Sequence, residues 1–254
     1  MPRMQTRRMG QTICRGSVEV EQMGEQTRNG DSDMKMSWNA AAGCNHGCWY
    51  CYARKFLRRS HCQKCQAFEP HWHWERLEQP LKRKKPTTIF LDSVWDIGAD
   101  CWKNEDIQKV LDVVREAKQH TFLALTKNPK RYMDFDLPEN LWCGVTVTGL
   151  EDWGKTIAMN PPAPNMAGDK CYRRFISFEP VLDDMKWLHW QKLHKWQGII
   201  IGPLNHKKRV TKREWILNLT DLAVKAGVPV FHKRDCLKQG LLRPDEMRAE
   251  LAWR

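Results

Sequence analysis

The chain has no run of about 18 consecutive apolar residues, so it contains no candidate bilayer span. Its first thirty residues carry no apolar block, which argues against a secretory leader. No G-x-G-x-x-G follows a strand pattern and no Walker A loop is present, so the usual dinucleotide and nucleotide-triphosphate sites find no support. No internal repeat is visible. Acidic residues are short of balance, at 30 against 42 Lys and Arg, for a net charge of +12. Cysteine and tryptophan are in excess, at 10 and 13 of 254 residues. So much tryptophan asks for extended packing or stacking surfaces. Ten cysteines without a leader read as thiols of a reducing cytoplasm, where metal or cluster binding is favoured over disulfides.

The positive charge is concentrated. Residues 54–85 carry +7 and residues 186–254 carry +9, while residues 86–185 carry −5. Two basic segments around an acidic middle favour an anionic partner, nucleic acid being the commonest; the alternative is a solubilising basic surface. Residues 1–35 are polar and aperiodic and are expected to form a flexible arm. The expected domain is 36–254, with a basic Cys/His insertion at 54–85.

Seven short apolar runs read as buried parallel strands: Met36–Asn39, Thr88–Leu91, Thr121–Leu125, Cys143–Val147, Arg174–Phe178, Ile199–Ile201 and Val228–Phe231. Helical patterns lie between them. Asn104 is a plausible N-cap before Ile107, Val110, Leu111 and Val114. Thr211 with Glu214 makes a capping box before Ile216, Leu219, Leu222 and Ala223, and Gly227 supplies the stop. Trp187, Trp190 and Trp196 are spaced as in a helical run. The alternation predicts an α/β fold, a partial or near-complete (β/α) barrel. Chemistry in such folds sits where strands end. Cys44, Asp92, Ser93, Asp96, Thr126, Lys127, Thr148, Glu179, Gly202, His232 and Lys233 fall at those exits.

The most specific motif is Gly43-Cys44-Asn45-His46-Gly47-Cys48-Trp49-Tyr50-Cys51-Tyr52-Ala53, a C-x3-C-x2-C spacing. Three thiolates so close can face one inorganic cluster. Four cysteines normally hold a [4Fe–4S] cube, so three leave one iron open. A zinc knuckle completed by His46, or three unrelated thiols, is the alternative.

This motif resembles that of the radical S-adenosylmethionine enzymes, including the aromatic Tyr50 before the third cysteine. The resemblance implies a radical-SAM type barrel and a [4Fe–4S] cluster on Cys44, Cys48 and Cys51. It also implies S-adenosyl-L-methionine on the open iron, and an electron donor such as flavodoxin or ferredoxin. Over residues 36–235 the chain is similar to a phage-encoded family of unknown function typified by gene products thirty-seven and sixty-eight, which would place it in the host cytoplasm. The matching pieces include Trp38-Asn39, Cys51-Tyr52-Ala53-Arg54, Phe90-Leu91-Asp92-Ser93-Val94-Trp95-Asp96, Leu125-Thr126-Lys127-Asn128-Pro129, Phe175-Ile176-Ser177-Phe178-Glu179-Pro180 and Ile200-Ile201-Gly202. It is loosely similar to spore photoproduct lyases, which repair DNA with the same cluster. The Gly-Gly-Glu segment that holds the methionine amine in many such enzymes is absent, which leaves Ser93 or Asp96 for that task. Two strand exits also depart from the pattern: Pro203 to Arg209 is bulkier and basic, and His232 precedes Lys233.

A second metal candidate follows in Cys62, Cys65, His71 and His73, a zinc-type donor set. An auxiliary cluster, or free thiols and histidines, are the alternatives. Glu179 is expected to bind the cofactor or orient substrate, or else to pair with Arg173 or Arg174. Lys127 is expected to meet the cofactor carboxylate or a substrate phosphate. Lys207, Lys208, Arg209, His232 and Lys233 are the expected substrate contacts. Cys101, Cys143, Cys171 and Cys236 read as small buried hydrophobes. The leading reading is a radical-SAM enzyme acting on a nucleic acid or nucleotide. One rival is a radical-SAM enzyme acting on a protein or peptide; the other is a non-catalytic zinc-dependent nucleic-acid-binding protein.

Overall fold

Strands of the main sheet follow one another in space in the order in which they follow in sequence. The computed structural model describes residues 36–159, 173–206 and 209–250. The expected arm at 1–35, and with it Cys171, Lys207 and Lys208, lies outside the described residues. Among the described residues nine strands are formed: β1 Met36–Ser37, β2 Ala41–Ala42, β3 His71–Trp72, β4 Thr88–Phe90, β5 Thr121–Thr126, β6 Leu141–Thr146, β7 Arg173–Phe178, β8 Ile199–Ile201 and β9 Val230–His232. β1 and β4 to β9 make one curled, all-parallel half-barrel in the order β1-β4-β5-β6-β7-β8-β9. These are the seven strands expected, shifted at their ends by a residue or two. β2 and β3 form a separate antiparallel hairpin, with Ala42 opposite His71 and Ala41 opposite Trp72.

Side chains alternate across the sheet because the strand period is two. One face carries Ile89, Phe122, Ala124, Leu141, Cys143, Val145, Ile176, Ile199, Ile201 and Val230, all buried against the outer layer. The other face carries Phe90, Leu123, Trp142, Phe175 and Ile200, which fill the concave side. Both faces are covered, so the strands read as unbroken apolar runs.

Among the described residues seven α-helices are formed: α1 Tyr52–Leu57, α2 Gln63–Ala67, α3 Gln79–Lys82, α4 Asn104–Glu116, α5 Leu150–Trp153, α6 Arg213–Lys225 and α7 Asp235–Lys238. Of these, α4 and α6 exceed six residues. α4 buries Ile107, Val110, Leu111, Val113 and Val114 against β4, β5 and β6. α6 buries Ile216, Leu219, Thr220 and Ala223, and Gly227 follows it at φ +69°.

Three local expectations are corrected. Lys103 occupies the N-cap of α4, and Asn104 is its first helical residue. Thr211 does not cap α6. Its hydroxyl donates to the Val181 carbonyl at 2.7 Å and accepts from the Leu204 amide at 2.8 Å, tying the loops after β7 and β8 together. The stretch from Trp187 to Trp196 holds only a single 3₁₀ turn, Trp190–Lys192. Asp183 and Asp184 capture the amides of Met185 and Lys186, and Met185 takes φ +53°, so the chain turns where a helix would begin.

Much of the tryptophan excess is packing. Trp72 stacks on Trp74 at 4.6 Å and meets Trp95 and Trp102 at 5.5 and 4.9 Å. The indoles of Trp38, Trp95 and Trp102 donate to the carbonyls of Arg76, Leu91 and Asp96. This cluster fixes the β2–β3 hairpin to the segment that leaves β4. At the far edge of the sheet, residues 248–250 run antiparallel to β9. The amide of His232 donates to the Arg248 carbonyl at 2.9 Å and that of Glu250 to the Val230 carbonyl at 3.0 Å. No described helix is long and apolar enough to cross a membrane.

Candidate metal centres at the open end of the sheet

The C-x3-C-x2-C loop leaves β2 and turns back over the carboxyl ends of the strands. Gly43 begins it at φ +80°, its amide donating to the Val94 carbonyl at 3.0 Å. A Cβ at Gly43 would sit 2.7 Å from the backbone of Glu69, so only glycine fits between loop and insertion. Cys51 ends the loop as N-cap of α1, its sulfur accepting from the Arg54 amide at 3.4 Å. All three cysteines are free and half-buried. Burial pushes the Cys44 thiol up to about 12, and the Asp96, Cys51 and Cys48 charges push the same way. Cys48 is raised by burial too, against the pull of nearby Lys127. The three sulfurs therefore lie within electrostatic reach of one another.

The loop touches several strand exits. The Tyr50 hydroxyl lies against Thr148 after β6; burial first and the neighbouring Cys48 next push its phenol up. Lys127, after β5, places its ammonium 5.5 Å from the Tyr50 ring. Half-exposed Trp49 meets the His206 ring at 5.4 Å and the Arg209 guanidinium at 4.9 Å, both in the loop after β8.

Beneath the loop lie two buried aspartates that are driven in opposite directions. Asp96 Oδ1 accepts from the Gly98 amide and the Thr126 hydroxyl at 2.9 and 2.6 Å. Its Oδ2 accepts from the Lys127 amide at 3.0 Å and faces His46 Nε2 at 2.9 Å. Burial alone would raise Asp96, but His46, Thr126 and Lys127 outweigh it and hold the carboxyl below its usual range. Asp92 is driven well above that range by burial and then by Asp96, although the Leu125 and Ile97 amides donate to it. Asp96 thus accepts three hydrogen bonds within the protein and faces His46 with its remaining side. It works as a clamp joining the cysteine loop to the end of β5. Ser93 is engaged as well, exchanging hydrogen bonds with Asn39 at 2.9 and 3.2 Å. The Tyr52 hydroxyl donates to the Ser93 carbonyl.

Glu179 pairs with Lys233 Nζ at 3.4 Å, rather than with Arg173 or Arg174. Arg174 is turned instead to the Lys195 carbonyl. Gly202 lies between the pair, where a Cβ would stand 2.9 Å from Glu179 Cγ and 3.0 Å from Lys233 Cγ. His232 is corrected as a substrate contact. It shares the face of Val230 and turns toward α6. Its Nδ1 accepts from the Arg248 amide at 3.0 Å, and its Nε2 meets the Thr220 hydroxyl at 2.9 Å. Thr220 spends its own proton on the Ile216 carbonyl, so Nε2 is the protonated nitrogen. Burial and then Arg248 lower this imidazole to about 4.

The second set converges tightly. Cys62 and Cys65 flank the start of α2, while His71 and His73 lie two residues apart along β3 and its end. The four donor atoms fall within 4.8 Å of one another, so the group can hold a metal ion. His71 Nε2 is 3.5 Å from both sulfurs, and His73 Nε2 is 3.2 Å from Cys65 Sγ and 3.1 Å from His71 Nε2. Each Nδ1 meets an oxygen: His71 the Glu69 carbonyl at 2.7 Å, His73 the Glu75 carboxylate at 3.0 Å. Sequence reasoning gave no site role to Asn39, Tyr52, Glu69 and Glu75, and offered His46 as a zinc-knuckle ligand rather than as the partner of Asp96. Of these only Glu75, two residues past His73 and in the 3₁₀ turn Trp74–Arg76, carried a readable signal.

Of the other cysteines, Cys143 and Cys236 are buried as expected, whereas Cys101 is exposed. No curated protein and no solved structure matches the chain. One family model, described as "Protein of unknown function (DUF5131)", matches residues 32–247 and so most of the chain, which belongs to that family.

Proposed function

We propose that the chain is a radical S-adenosylmethionine enzyme that acts on a nucleic acid or nucleotide. One observation carries the reading: a three-cysteine loop lies across the carboxyl end of an all-parallel half-barrel and reaches the exits of β5, β6 and β8. Three free, neighbouring thiols suit an iron–sulfur cube that keeps one iron open, so the donor chemistry fits the group. Cys44, Cys48 and Cys51 would hold it. When bound, the cluster with S-adenosylmethionine would supply radical chemistry able to remove hydrogen from an unactivated C–H bond.

The chain's own residues do the rest. Tyr50 and Trp49 wall the loop and limit water. Lys127 offers a cation beside Cys48, suited to a carboxylate or phosphate. The Glu179–Lys233 pair offers both signs at a neighbouring exit, suited to an amino acid's carboxylate and amine. Half-exposed Trp49 under Arg209, beside His206, supplies a stacking face within a positive field.

Anaerobic purification tests the reading. A brown protein with about four irons per chain that releases 5′-deoxyadenosine under reductant supports it. A Cys48→Ala variant should lose both properties. A colourless, zinc-only protein that stays inert would refute the enzyme and leave a zinc-dependent nucleic-acid binder. RNA or DNA binding that weakens steeply with salt supports the substrate class, whereas salt-insensitive or absent binding points to a protein or peptide.

A further inference from the structure

We propose that Cys62, Cys65, His71 and His73 form a closed tetrahedral zinc site that fastens the β2–β3 hairpin behind the Cys44 loop. Four of the six edges of the group match the ion, and the other two lie within 4.8 Å. Bond lengths of about 2.3 Å to sulfur and about 2.0–2.1 Å to nitrogen give tetrahedral edges of about 3.6 Å for S···N and about 3.3 Å for N···N. The corresponding separations are 3.5, 3.5, 3.2 and 3.1 Å. A four-iron cube holds its ligands farther apart than a single ion does, so the spacing selects the ion.

The histidines are prepared for it. Both Nδ1 atoms face oxygen acceptors, which places their protons there and leaves both Nε2 lone pairs aimed at the centre. Cys65 and His73 are buried, and four protein donors complete the tetrahedron without a position for water. A closed set of this kind is structural.

Its place in the chain gives the site a consequence. His71 pairs with Ala42, and the His73 amide donates to the Ala40 carbonyl at 2.7 Å. Gly43 and Cys44 follow directly. Cys44 and Cys51 pack on the same buried cluster as Cys62 and Cys65, around Ala42, Phe68 and Val94. The ion would therefore hold the base of the three-cysteine loop, whatever that loop binds.

Full-length protein purified with zinc in the medium should carry about one zinc per chain, and the Cys44→Ala/Cys48→Ala/Cys51→Ala variant should keep it. X-ray absorption at the zinc edge should report two sulfur and two nitrogen neighbours. Zinc lost with the triple variant, or a shell of three or more sulfurs, would assign the metal to the loop and overturn the proposal. Cys62→Ser/Cys65→Ser should lose the ion, and because that variant risks unfolding, Glu75→Ala provides the second arm. Removing the carboxylate that orients His73 should weaken zinc binding by about 10- to 100-fold, with the fold retained. Unchanged affinity in Glu75→Ala would detach His73 from the metal and refute the assignment.

Discussion

Gly43 and Gly47 stand four residues apart in one loop, both with left-handed backbone, at φ +80° and +66°. Alanine at either position meets the left-handed cost, about 1–2 kcal/mol. At Gly47 nothing lies within 4 Å of the added methyl, so that cost is the whole effect. At Gly43 the methyl would stand 2.7 Å from the carbonyl carbon and oxygen of Glu69 and 2.9 Å from the Phe68 oxygen. These are backbone atoms that cannot rotate away, and overpacking of this kind adds about 1–3 kcal/mol. Gly43→Ala should thus cost about 2–5 kcal/mol and Gly47→Ala about 1–2. Urea unfolding at fixed zinc concentration reads the difference. With a slope of about 2 kcal/mol/M, the midpoint should fall by about 1–2.5 M for Gly43→Ala and by about 0.5–1 M for Gly47→Ala. Because the Glu69 carbonyl also holds His71, Gly43→Ala should weaken zinc binding, while Gly47→Ala should not. Equal midpoint losses in the two variants would refute the close packing of loop on insertion.

His232 folds with its imidazole at about 4, below the ordinary 6.5, so the unfolded chain binds the extra proton more readily. Its stabilising contribution is complete above about pH 6.5 and is lost as pH falls toward 4, by about 3 kcal/mol in all. Urea midpoints against pH should lose that slope in His232→Gln, and an unchanged slope would place the titration elsewhere. Asp96→Ala orphans Thr126 Oγ1, the Lys127 and Gly98 amides and His46 together, for an expected loss of about 3–5 kcal/mol in chemical denaturation; a loss below 1 kcal/mol would contradict the clamp. Gly202→Ala should part Glu179 from Lys233 with little change in melting temperature. In the proposed enzyme it should weaken S-adenosylmethionine binding in calorimetry, and unchanged binding would remove that ion pair from the cofactor site.

The parallel strands were legible because each is an apolar run buried on both faces, and their sequential order followed from the alternation with helices. That same double burial hid strand parity. Nothing in Val230-Phe231-His232 says which face His232 takes, so an imidazole facing α6 read as one facing a substrate. Thr211 and Glu214 have the spacing of a capping box, but Thr211 is claimed by Val181 and Leu204, tertiary partners that no local pattern reveals. The two cysteine sets were legible from spacing alone. Their common packing cluster was not, since it depends on Gly43 lying against Glu69.

Residues 248–250 add little to the buried core, yet they occupy the hydrogen-bonding edge of β9. An uncovered strand edge is a template for another chain, and cells meet such edges most often during synthesis. Because the strands add to the sheet in the order in which they leave the ribosome, β9 is the growing edge until this short segment emerges and closes it. The last few described residues thus guard solubility: shortening the chain before Arg248 would leave the core intact and make the protein prone to aggregate edge to edge.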